Sequence, residues 1–211
     1  MNKTAIVIGA SGLVGQELVQ QLITTDEYNC IKLFVRNPLR YASPKVEIYV
    51  VDFDQIDEWR DKLIGDSIFC CLGTTLKKAK TKKEQFKIDY TYTLSIVKEA
   101  LINGCSTIVL VSSLGANLKS TNFYLSTKGK LEAALSALNP EHFFIFRPSI
   151  LDGNRIEKRP FEQLALKIMR ALGKFKFMKK YAPTSIVTLS QKMIHSSFLN
   201  TKGTTIIENI H

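Results

Sequence analysis

Short runs of β-branched and other apolar residues recur along the chain, and most are followed by a stretch whose apolar positions fall three and four apart. Thr4 to Ile8 is such a run, too short for a helix and suited to a strand buried on both faces. From there to about Thr25, leucines and valines repeat at helical spacing. The alternation continues with predicted strands at Cys30–Val35 and Val46–Val51 and a short helix over Ile56–Leu63 closed by Gly65. A strand at Ser67–Leu72 follows, and then a lysine-rich loop at 76–83. A long helix is predicted from about Lys83 to Asn103, with Phe86, Leu94, Ile96, Val97 and Leu101 as its core positions and Gly104 as its stop. Thr107–Val111 and His142–Phe146 read as two more strands, separated by a helix that Asn122 caps and that runs from Phe123 to about Leu138. The remainder is less regular, with helices predicted near Phe161–Leu172 and Ile186–Leu199 and a last strand at Thr204–Glu208. Strands alternating with helices at this spacing predict an α/β fold, a doubly wound and mostly parallel sheet with helices on both faces.

Composition bounds this picture without changing it. At 211 residues and 45% apolar content, one domain with an ample core is expected over the whole length. The first strand begins almost at Met1, which leaves no room ahead of it for a signal or transit segment, and no run approaches the ~18 apolar residues that span a membrane. A soluble cytoplasmic protein is the expectation. Cys30, Cys70, Cys71 and Cys105 show no metal-ligand spacing and read as small hydrophobes, with the adjacent Cys70 and Cys71 pointing to opposite faces of their strand. The charge is less ordinary: 29 basic against 19 acidic residues give +10, with lysine clusters at 77–83 and 174–180. These clusters read as solvated faces or as attraction for an anionic cofactor or substrate. A nucleic-acid partner would call for a reader motif, and the sequence contains none.

Candidate chemistry gathers where the predicted strands end. After the first strand come Gly9, Gly12 and Gly15, then a helix. A strand, a glycine turn and a helix N-terminus aim free backbone N–H groups at one spot, which suits a pyrophosphate. At the tip of the second strand an acidic residue would accept from the ribose 2′-hydroxyl of NAD, whereas an arginine favours the 2′-phosphate of NADP. The chain carries Arg36 there, and NADP(H) is the expected cofactor. Asp52 and Phe53, at the end of the third strand, either bracket an adenine or cap the short helix that follows. Gly73 and Thr74, past the fourth strand, allow backbone to approach a ligand closely. Ser112 and Ser113 end the fifth strand, and Tyr124 and Lys128 share a face of the next helix. A serine, a tyrosine and a lysine meeting there suit proton transfer coupled to hydride transfer. A lysine ammonium helps bring a tyrosine from its ordinary pKa of about 10 toward working pH. Tyr-x-x-x-Lys occurs three times, at Tyr28, Tyr41 and Tyr124, and only the third starts a helix after a strand ending in serines.

Taken together, Gly9-x-x-Gly12-x-x-Gly15, Ser112-Ser113 and Tyr124-x-x-x-Lys128 resemble the atypical, extended-type branch of the short-chain dehydrogenases/reductases. Within it, Phe69–Thr75, Ser112–Ala116, Asn122–Gly129 and Phe146-Arg-Pro148 resemble the HIV Tat-interactive protein family of oxidoreductases. The likeness runs from about Ile6 to Arg159. It implies a single Rossmann-type domain over 1–211, with the part from about 150 contributing a small substrate region. It implies NADPH contacts at Ser11, Gly12, Leu13, Val14, Gly15, Arg36, Asn37, Leu72 and Gly73, with Leu151 and Arg159 closing the cofactor site. Tyr124 would exchange the proton, Lys128 would bind the nicotinamide ribose, and Ser113 would face a carbonyl substrate while Ser112 points into the sheet. Arg147, before Pro148, reads as structural. The short C-terminal part leaves a shallow substrate site or one completed by a homodimer partner or another protein. The family also includes regulators, so an NADPH-binding protein without turnover is the alternative.

Overall fold

The computed structural model describes residues 3–152, 182–208 and 210. Seven parallel strands form one sheet in the order β3-β2-β1-β4-β5-β6-β9: β1 (Lys3–Ile8), β2 (Tyr28–Val35), β3 (Val46–Val50), β4 (Ser67–Cys70), β5 (Thr107–Val111), β6 (His142–Phe146) and β9 (Gly203–Ile207). Reversal of the strand order between β1 and β4 opens a crevice at the carboxyl ends of the strands, the usual place for a ligand in such a sheet. A separate parallel pair joins β7 (Leu151–Asp152) to β8 (Thr184–Ser185).

Alternation along the strands divides the core in two. Ala5, Val7, Val109 and Phe144 face one side, where α1 (Leu13–Thr24) packs through Leu18 and Leu22 beside α6 (Ile186–Ser196) with Leu189 and Met193. Ile6, Ile8, Ile108, Leu110 and Phe143 face the other side, against Ile96 and Val97 of α4 (Tyr92–Ile102) and Leu131 and Leu135 of α5 (Phe123–Ser136). Cys70 and Cys71 fall into opposite halves, as their adjacency in the strand requires.

Three predicted elements differ in detail. The helix expected over Ile56–Leu63 is two 3₁₀ turns, Ile56–Glu58 and Arg60–Lys62, broken where Trp59 turns inward to stack on Phe34. The lysine-rich loop contains a helical turn, α2 (Leu76–Ala79), capped by the Thr75 hydroxyl accepting from the Lys78 N–H. The long helix is α3 (Lys82–Phe86) and α4 joined by a π-helical stretch over Lys87–Thr91. Of its expected core positions, Ile96 and Val97 are buried, while Phe86, Leu94 and Leu101 are half-buried. The helix expected near Phe161–Leu172 and the lysine cluster at 174–180 lie outside the described residues.

Candidate functional site

The glycine turn is fixed by contacts that admit no side chain at two of its positions. Gly9 has φ +85°, and a Cβ there would lie 2.4 Å from the carbonyl carbon of Cys71. A Cβ on Gly15 would lie 2.2 Å from the Gly9 carbonyl oxygen, so α1 is seated directly on the end of β1. Gly12 donates its N–H to that oxygen at 2.9 Å and stands at the N-cap of α1 with no side chain to offer the first turn. The N–H groups of Leu13, Val14 and Gly15 therefore open toward the crevice beside the exposed Ser11 and Gly12. This cradle fits a pyrophosphate.

Arg36 and Asn37 are exposed immediately beyond β2. Asp52 accepts from the Asp54 N–H at 2.9 Å in the turn after β3, and the 3₁₀ turn that follows starts from Gln55 without a side-chain cap. The Phe53 ring is buried between Trp59 and Tyr92.

The densest polar chemistry lies where the chain leaves β4. Lys128, on α5, is buried, and its ammonium donates to the Leu72 carbonyl at 3.4 Å. The same ammonium stands 3.5 Å from Asp89 Oδ1 and 6.0 Å from the centre of the Tyr124 ring. Burial opposes its charge, but Tyr124 and Asp89 outweigh that and hold Lys128 above the ordinary lysine range. Asp89 is wholly buried in the π-helical stretch, its Oδ1 accepting from the Thr74 N–H at 3.2 Å. Burial raises its carboxyl, and the Lys128 charge and the Thr74 N–H offset part of that rise. A Cβ on the exposed Gly73 would lie 3.2 Å from Asp89 Oδ1 and 3.7 Å from Lys128 Nζ, so the Gly73 backbone lies close over the pair. Sequence reasoning missed Asp89. Its only signal was an acid among the apolar positions of a helix.

The two serines part as the pleat dictates. Ser112 is buried and donates to Glu132 on α5, while Ser113 is half-buried and its hydroxyl donates to the Leu114 carbonyl at 3.4 Å. Glu132 takes both sides of the Arg147 guanidinium, Nη2 at 2.6 Å and Nε at 3.1 Å, and Arg147 Nη1 reaches Glu208 at 3.2 Å. Arg147 is thus a structural tie between α5 and the ends of β6 and β9. The loop after β5 packs on α5 at Gly129, where a Cβ would lie 2.5 Å from Asn117. Asn122 caps that helix by accepting from the Leu125 N–H at 3.2 Å. Leu151 is half-buried in β7, and Arg159 lies outside the described residues. Burial pushes the Cys71 thiol up to about 12 and Cys105 to about 11, which suits apolar packing and not thiolate chemistry.

Residues 9–160 match the NAD(P)H-binding family. The chain belongs to this family. Among curated relatives, this NAD(P)H-binding chain is 35% identical over 176 residues to Protein HTATIP2 of Rattus norvegicus, a match covering 81% of the chain and 72% of the rat protein. It is 37% identical over 156 residues to "Protein FMP52, mitochondrial" of Candida glabrata, covering 72% of the chain and 66% of that relative. The solved structure of a short chain dehydrogenase family protein from Francisella tularensis superposes with a TM-score of 0.70 at 15% identity, covering 99% of this chain and 98% of that one, a likeness of fold. The family membership and the Rossmann architecture agree with the sequence reading; the expected compartment does not. Further FMP52 relatives from four other fungi are also named mitochondrial, and these names overturn the cytoplasmic expectation. That expectation rested on soluble composition and an early first strand, and neither separates one aqueous compartment from another. Among the described residues, no helix is long and apolar enough to cross a membrane.

Proposed function

We propose that this chain is an NADP(H)-dependent oxidoreductase of the short-chain dehydrogenase/reductase type, acting between a carbonyl compound and its alcohol. One observation carries the reading: the Lys128 ammonium of α5, buried where the chain leaves β4, donates to the Leu72 carbonyl and stands 6.0 Å from the centre of the Tyr124 ring, beside the Cys71–Leu72 backbone that contacts the glycine turn. The backbone from Ser11 to Gly15 would hold the pyrophosphate. Arg36 and Asn37 would take the ribose 2′-phosphate, and Asp52 and Phe53 would border the adenine side. Leu72, Gly73 and Thr74 would follow the nicotinamide ribose, with Leu151 and Arg159 closing the site. The cofactor, when bound, supplies or accepts the hydride. The chain's own residues handle the proton. Ser113 orients the substrate oxygen, Tyr124 gives that oxygen its hydroxyl proton as the carbonyl carbon is reduced, and Lys128 stabilises the phenolate that remains.

A thermal-shift comparison of NADPH, NADH and no ligand tests the cofactor assignment, since a ligand of the folded state stabilises it by RT ln(1 + [L]/Kd). NADPH should raise the midpoint more than NADH does, and Arg36→Asp should remove that difference. Equal weakening of both by Arg36→Asp would sink the role given to Arg36. Turnover is tested on a panel of carbonyl compounds with NADPH. Tyr124→Phe should lower kcat by about 10²-fold or more, in line with loss of a positioned general acid. NADPH binding without turnover, in a protein whose biological effect survives Tyr124→Phe, would favour a cofactor-dependent regulator.

A further inference from the structure

Lys128 and Tyr124 do not make up the site's charge by themselves. Asp89 reaches Lys128 from the π-helical stretch, and nothing in the sequence pattern or the family match assigns it a role. Three observations set it apart from an ordinary core residue. It is fully buried, yet its Oδ2 has no hydrogen-bond partner, an expensive arrangement for a carboxylate. It sits on a π-helical stretch, a local irregularity that recurs at functional sites. Its Oδ1 stands 3.5 Å from the Lys128 ammonium and lies under Gly73, beside the crevice.

We propose that Asp89 is a positioning residue that holds the Tyr124–Lys128 pair in its fully protonated, proton-donating state and so poises the site for carbonyl reduction. The inference rests on the oxidoreductase reading above. With Asp89 ionised, the Lys128 charge is balanced and Tyr124 keeps its hydroxyl proton to give. With that negative charge removed, every neighbouring proton is easier to lose, and the pair releases its first proton at lower pH. Among the described residues, the titratable groups facing Asp89 and Lys128 are few. Tyr124 lies on α5 with Lys128, and Cys70 and Cys71 stand at the end of β4 as neutral thiols raised by burial. Gln85 and Thr74, which border Asp89, carry no charge.

The test compares wild type, Asp89→Asn, Asp89→Glu and Tyr124→Phe. In the pH profile of kcat for carbonyl reduction with NADPH, the alkaline limb should move down on the order of one pH unit in Asp89→Asn. Asp89→Glu, which restores the charge, should bring it back. A second readout needs no turnover: the tyrosinate absorbance of the protein without substrate, taken as the difference from Tyr124→Phe. Its transition should move down in Asp89→Asn as well. An unmoved transition, or one shifted to higher pH, overturns the proposal whatever the kinetics. A transition that moves in a protein inactive on every carbonyl supports the charge-setting role of Asp89 and overturns the oxidoreductase reading instead. Should Asp89→Asn not fold, the pair Lys128→Met and Asp89→Asn/Lys128→Met replaces it, because neutralising both partners avoids a lone buried charge. The tyrosinate transition should then lie lower in the double variant, and no difference between the two overturns the proposal.

Discussion

Adding one methyl group to the glycine turn tests how tightly β1, α1 and β4 are joined. In Gly9→Ala the new Cβ meets backbone of β4's continuation at 2.4 Å, in a conformation with φ +85° that alanine adopts only under strain. Neither the strand nor the turn has a flexible side chain to move aside. Strain and overpacking together are expected to cost roughly 3 kcal/mol or more, and Gly15→Ala should behave similarly. Trp59, the only tryptophan, is buried against Phe34 and reports unfolding by its fluorescence. A urea titration giving either variant the midpoint of wild type would show the turn to be looser than this geometry. These glycines were legible in the sequence because their need is local: a strand, a turn and a helix start lie within fifteen residues. Asp89 was not, because its meaning comes from Lys128 on another helix and from a π-helical stretch that has no propensity signature. Ser112 and Ser113 fell between these cases, since the alternation of a strand separates them but only Glu132 shows which one is tied down.

Among elements, α5 acts as the clamp of the site. Its outer end offers Tyr124, its middle buries Lys128 and accepts the β5 loop at Gly129, and its next turn holds Ser112 and Arg147 through Glu132. One helix therefore carries Tyr124 and Lys128 together and is tied to Ser112, the neighbour of Ser113. Glu132→Gln leaves the shape of the network but removes the charge opposite Arg147, whose pKa is raised chiefly by its hydrogen bond to Glu132. Removing one partner of a largely buried pair costs about 3 kcal/mol, and Glu208, which meets Arg147 at 3.2 Å, can compensate only part of that. The expected result is a lower denaturation midpoint and a loss of kcat exceeding any change in NADPH affinity, because the tie reaches Ser113's neighbour and not the glycine turn. Stability equal to wild type across a urea titration would show that the network contributes specificity alone. Element boundaries were mostly readable from apolar spacing. β5 and β6 fall on their expected residues because short β-branched and aromatic runs bounded by polar residues leave little choice. The expected Ile56–Leu63 helix did not form because an inward Trp59 breaks a segment too short to nucleate a helix of its own.

At the scale of the whole molecule, the parallel sheet has two unlike ends. The carboxyl end gathers the glycine turn, Gly73, Ser113 and Tyr124, whereas the amino end is closed by a small buried polar cluster. Tyr28, at the start of β2, places its hydroxyl 3.0 Å from Ser67 at the start of β4 and 2.7 Å from Ser197 after α6. This cluster ties the last helix to the middle of the sheet, far along the strands from the candidate site. Burial pushes Tyr28 up to about 12, against an ordinary tyrosine value of 10.0. The sign of the linkage follows. Between those values the unfolded chain gives up its phenolic proton while the folded one keeps it, so rising pH favours unfolding. The stabilising contribution is complete below about 10 and is lost as pH climbs through about 12, amounting to roughly 2 to 3 kcal/mol. Tyr49, whose hydroxyl donates to Glu47 at 2.6 Å, is pushed up to about 12 as well and titrates in the same window. Tyr28→Phe should therefore cost about 1 kcal/mol at neutral pH through its lost hydrogen bonds. It should also flatten, without abolishing, the alkaline fall in stability. Urea midpoints measured from neutral pH into that window check both effects. Parallel curves for the two proteins would mean that the Tyr28 proton is lost before the fold is. Because the cluster lies at the amino end, NADPH affinity at neutral pH should stay at its wild-type value, which separates the end of the sheet that holds the fold from the end that carries the candidate site.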